Sequence, residues 1–150
     1  MKDTIPPVLT NANPPINNLN FNSEKITLNF NEYIELKDIN EQLIVSPPLE
    51  RKDYKIIPEN TVTKKVEIEI KNKLRENSTF TFNFGSSIVD YNEGNPLPFF
   101  NYTFSTGDYI DSLKISGFVK DAYEIDSLDY VSIHLYPIDS VFNDSTIYNQ

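Results

Sequence analysis

The chain predicts an all-β fold: an antiparallel two-sheet sandwich of about seven strands over residues 1–106, followed by part of a second β module. Three observations predict it. Phe80-Phe82-Phe84 and Phe100-Tyr102-Phe104 alternate with polar residues, which puts one face of each segment on a core and the other in water. Strand-like runs recur roughly every 10 to 15 residues, separated by Asn, Pro, Asp and Gly. Apolar residues nowhere repeat at the 3.6-residue spacing of an amphipathic helix.

Taken in order, residues 1–24 carry Pro6-Pro7 and Pro14-Pro15. Proline cannot donate to a central ladder, so Val8 to Asn11 reads as an edge strand. Lys25 to Phe30 alternates Ile26, Leu28 and Phe30 and reads as a strong strand. Glu35 to Glu41 is expected to form a short helical turn over the core. Leu43 to Ser46 is a short strand stopped by Pro47-Pro48. Tyr54 to Ile57 follows, then Lys64 to Lys71 with Val66, Ile68 and Ile70 on one face. The aromatic pair of strands closes the set, joined by a turn-rich loop holding Asp90, Gly94, Asn95 and Pro96. The expected core is Ile26, Leu28, Phe30, Val66, Ile68, Ile70, Phe80, Phe82, Phe84, Tyr102 and Phe104.

These motifs resemble the bacterial Ig-like domains of the SbsA type. The entry Asp3-Thr4-Ile5-Pro6-Pro7-Val8 is similar to that family's Asp-x-x-Pro-Pro opening. Ile26-Thr27-Leu28-Asn29-Phe30-Asn31-Glu32 resembles its second strand, and Asn77 to Phe82 its Asn-Thr-Thr-Tyr-Thr strand. Asp90, Gly94-Asn95-Pro96 and Phe104-Ser105-Thr106 fall where the family has its closing hairpin. The chain departs from the pattern at Pro15 to Asn18, where the family has a Gly-Ala-x-Gly turn, and at Glu93, an extra residue in the loop. The resemblance covers about residues 3–106 and implies an Ig-like sandwich with a structural rather than catalytic role.

Residues 107–150 are expected to hold a linker, Asp108 to Asp111, and the start of a second module. Lys114 to Ala122 and the alternating Val131-Ile133-Leu135 resemble the carboxypeptidase-regulatory-like (transthyretin-like) β domain. Two strands cannot bury both faces alone, so this module is expected to be incomplete.

Charge and composition exclude several classes of function. Thirteen basic against twenty-two acidic residues give a net charge of −9, which would repel nucleic acid. There is no cysteine, hence neither a disulfide framework nor a thiolate metal site. The one histidine, His134, alternates with an apolar face and is expected to point to solvent; a catalytic triad has no raw material. The sequence contains no apolar run of about 18 residues, the length of a membrane-spanning helix. MKDTIPPVLT lacks the apolar stretch of a signal peptide, so an export signal would lie outside these residues.

Two candidate sites remain, both in one loop. Along Asp90-Tyr91-Asn92-Glu93-Gly94-Asn95 oxygen ligands recur as in a calcium loop, with Asp90, Asn92 and Glu93 the candidates, but Gly94 and Asn101 fall off EF-hand spacing. The plainer reading is that Asp90 accepts backbone amide bonds while Gly94-Asn95 turns the chain. Tyr91, Phe99 and Phe100 flank the same loop and are candidates for a sugar or protein platform; the plainer reading buries both phenylalanines. No catalytic residue and no cofactor are expected. The expected function is a non-catalytic spacer in an exported bacterial surface protein or lipoprotein, at the cell surface, outer-membrane-anchored or periplasmic. Its partners would be neighbouring domains of the same polypeptide, or a cell-surface protein or glycan. The alternatives are a ligand-binding module, for glycan or for calcium-dependent adhesion, and an accessory domain of an exported enzyme.

Overall fold

From Ile26 to Leu36 the buried residues stay in one phase: Ile26, Leu28, Phe30, Ile34 and Leu36 all face the core. That persistence makes β2 a single strand of 12 residues, Lys25–Leu36. The expected helical turn at Glu35 is therefore corrected, since β2 takes up its first two residues. In this computed structural model, which describes residues 4–58 and 61–112, the helix α1 is confined to Ile39–Gln42. Asp38 precedes it in the left-handed region (φ 49°) and Leu43 leaves it extended, so one turn is all that forms.

The remaining strands are β1 (Leu9–Asn13), β3 (Ile44–Ser46), β4 (Tyr54–Ile57), β5 (Thr63–Ile70), β6 (Thr79–Asn83), β7 (Ile88–Asp90) and β8 (Asn101–Ser105). One antiparallel sheet runs β1-β2-β5-β4, with β7 paired to the far end of β2; the other runs β3-β6-β8. The strands expected from alternation are present, with β1 shifted to Leu9–Asn13 at the sheet edge. The additional strand, β7, has all three residues buried and so shows no alternation to read.

The two sheets meet on an aromatic core. Phe80, Phe82, Tyr102 and Phe104 from the small sheet, with Phe84 just past β6, are at most 1% exposed, as are Ile26, Leu28, Ile34, Val66 and Ile68 from the large one. Tyr54 on β4 meets Phe82 edge-on at 5.5 Å across the sheets. Full burial of each such side chain contributes about 1.5–3 kcal/mol. Ile70 departs from the expected core: it sits only partly buried at the end of β5.

The Pro15 to Asn18 departure has a structural consequence. Asn17 N–H donates to the Thr103 carbonyl (2.7 Å), Ser105 N–H to Asn18 (2.8 Å) and Phe21 N–H to Ser105 (2.9 Å). Residues 17–21 thus lie along the outer edge of β8 and satisfy groups that an open edge would leave exposed. Asn17 and Asn20 take positive φ there, which asparagine tolerates better than most residues. The Tyr102 hydroxyl ties this crossing down by donating to the Pro14 carbonyl at 2.8 Å.

The chain divides into two units between Asp111 and Ser112. The expected strands at Lys114 to Ala122 and Val131 to Leu135, and His134, lie outside the described residues.

Candidate functional site

The loop after β7 is organised by one carboxylate. Pairing with β2 sets Asp90 opposite Ile34, inside the molecule and 2% exposed. Its Oδ1 accepts the N–H of Glu93 at 2.6 Å and of Gly94 at 3.2 Å; its Oδ2 accepts the N–H of Asn95 at 2.8 Å. The Asp90 N–H in turn donates to the Asn95 carbonyl at 3.0 Å. Gly94 closes the turn at φ 77°, a conformation glycine adopts without steric cost. The amide of Glu93 first, and those of Asn95 and Gly94 with it, hold the Asp90 carboxyl below its ordinary range against the opposing effect of burial.

This arrangement directs both oxygens of Asp90 toward the backbone of its own loop. Asn92 is exposed and Glu93 half-exposed. Among the described residues, no group of three or more His, Cys, Asp or Glu side chains is placed to hold a metal ion.

The aromatic candidates separate. Phe100 is half-buried, its ring 5.7 Å from Phe84 and 6.3 Å from Phe30, so it belongs to the rim of the core. Phe99 is 80% exposed. Its backbone takes φ 55° while its N–H donates to Gly85, which turns its side chain away from the core that Phe100 joins. Tyr91 is also exposed, and its N–H donates to the carbonyl of Tyr33 at 3.0 Å. Tyr33 is the neighbour that sequence reading missed: it too is exposed, and the Lys64 ammonium lies 5.0 Å above its ring. The signal was present in Tyr33-Ile34-Glu35-Leu36, where the alternation of β2 continues with tyrosine on the outward phase.

The bacterial Ig-like domain family model matches residues 3–106. The chain belongs to the bacterial Ig-like domain family. No curated protein and no solved structure matches it. The two-sheet sandwich and the Asp90-organised closing loop fall inside the matched span. No helix among the described residues is long and apolar enough to cross a membrane.

Proposed function

We propose that this Ig-like domain is a non-catalytic spacer of an exported bacterial surface protein or lipoprotein, setting the distance and angle between neighbouring domains of its polypeptide. The observation that carries the reading is the family match over residues 3–106, joined to a sandwich whose interior is filled by aromatic side chains. The finer assignment is to the SbsA type, on the Asp90, Gly94-Asn95-Pro96 and Phe104-Ser105-Thr106 signature. Residues 107–150 then lead into a carboxypeptidase-regulatory-like module. Asp90, the acid most deeply embedded in the loop, supports the reading because its oxygens are taken by backbone amides that shape the turn.

The test is replacement within the natural polypeptide. Exchanging residues 3–106 for an unrelated Ig-like domain of similar length should preserve surface display and the activity of the adjoining domains. Loss of activity despite normal display would overturn the spacer reading.

A second reading, an adhesion module for glycan, is favoured by the exposure of Phe99, Tyr91 and Tyr33 on the surface around the same loop. Phe99→Ala with Tyr91→Ala would then abolish binding to the target surface without changing the fold.

A further inference from the structure

A cleft of about 570 Å³ lies between α1, the turn at Glu50 to Asp53 and the β4–β5 pair. That volume falls within the roughly 300–1,000 Å³ of small-ligand clefts. Ile39, Tyr54 and Ile56, all buried, form its apolar floor. Its walls carry Arg51, Lys52, Lys55 and Lys71, with Asn40 beside them, and no carboxylate is in the lining. Four of the thirteen basic residues thus converge on one cleft in a chain of net charge −9.

The walls are held in place. Arg51 donates to Asn40 Oδ1 at 2.6 Å and to the Asn40 carbonyl at 2.7 Å, fastening the turn to α1. Asp53 organises the turn, accepting the N–H of Glu50 at 2.9 Å and the side-chain amide of Asn72 at 2.8 Å. Lys52 and Lys71 reach Glu50 and Glu69, each at 2.6 Å. These two carboxylates are the groups an incoming anion would compete with.

The floor also carries one tyrosine. Tyr54 is 7% exposed, and its side chain lines the cleft. It shares the cleft with four cations, of which Lys52 and Lys71 are ion-paired and Arg51 is bonded to Asn40.

We propose that this cleft binds an oligosaccharide carrying carboxylates, two to three rings in length. The carboxylates pair with the Lys71, Lys52 and Arg51 cations, a sugar hydroxyl meets Tyr54 Oη, and the C–H face of a ring lies on Ile39 and Ile56. Neutral sugars lose the charge-assisted bonds, which are about twice as strong as neutral ones. This site lies apart from the Asp90 loop and does not depend on the spacer reading.

The test is a titration of the full chain with trigalacturonate, followed by amide chemical shifts and calorimetry. The expected shifts centre on Asn40, Arg51 to Ile56 and Lys71, and binding weakens as salt is added. Maltotriose, uncharged and of equal size, should bind at least roughly tenfold more weakly, a difference of about 1.4 kcal/mol. Tyr54→Phe and Lys71→Gln should each weaken trigalacturonate several-fold with the melting temperature unchanged, while Lys73→Gln should have no effect. The proposal is overturned by an absence of shifts at millimolar trigalacturonate, by equal binding of maltotriose, or by inorganic sulfate binding as tightly as the trisaccharide. Unchanged affinity in both Tyr54→Phe and Lys71→Gln would overturn it equally.

Discussion

Phe104 sits where the aromatic core converges, and its truncation gives the sharpest test of how the sandwich is held. Its ring centroid lies 4.1 Å from Phe21, 5.6 Å from Phe80, 6.0 Å from Tyr102 and 6.4 Å from Phe82, and it is fully buried. Phe→Ala in a core costs about 3–5 kcal/mol through lost transfer energy and the cavity left behind. Favourable ring pairs add roughly 0.5–1.5 kcal/mol each, though not additively, so Phe104→Ala belongs near the top of that range. Phe21 arrives from the segment that covers β8, so collapse of the site would disturb the edge as well. Against a total stability of about 5–15 kcal/mol, that loss removes between roughly a third and nearly all of it. The assay is urea unfolding followed by tyrosine fluorescence and circular dichroism, with Phe99→Ala as control. With a slope of about 2 kcal/mol per molar, a loss of about 4.5 kcal/mol moves the midpoint by roughly 2 M. Phe99, 80% exposed, should change stability by no more than about 0.5 kcal/mol. A loss below about 1.5 kcal/mol for Phe104→Ala, or an equal loss for Phe99→Ala, would refute the reasoning.

Three further outcomes follow from the loop and the edge. The folded Asp90 carboxyl titrates below its unfolded value, so its contribution is present above about pH 4 and is lost as pH falls through the folded pKa. Asp90→Asn should therefore lower the melting temperature at pH 7 and narrow its gap to wild type in strong acid; a gap that stays constant with pH would count against the role. Burial raises the Tyr102 phenol to about 12, so its contribution is complete below about pH 10 and declines as pH rises toward 12. Tyr102→Phe should flatten that alkaline limb in a pH series of melting curves, and at neutral pH should cost about 0.5–1.5 kcal/mol for the bond to Pro14. Millimolar calcium should leave the melting temperature of the wild-type chain unchanged; a rise of several degrees that Asp90→Ala removes would make the loop a calcium site.

Alternation alone determined most of this sandwich. In β2, β5, β6 and β8 a period of two sorts apolar from polar faces, and burial on one side is the force that selects the register. The family resemblance was legible for a related reason: Asp90, Gly94 and the aromatic strands are local requirements of one turn and one core face. Where local signals run short, tertiary context decides. Ile88–Asp90 becomes a strand because β2 continues past β1 and offers it a partner, and three consecutive buried residues carry no period. Adjacent phenylalanines must diverge in an extended chain, but which one enters is settled by the positive φ of Phe99 and its bond to Gly85. The cationic cleft was invisible in the linear order because Asn40 lies on α1, Arg51 in the turn before β4, Tyr54 on β4 and Lys71 just past β5. They meet because β4 pairs with β5 in a register that sets Tyr54 opposite Ile70, and because Arg51 reaches back to α1. A chain's local pattern encodes which face is buried; which distant side chains share a cavity depends on contacts that form only once the sheets have packed.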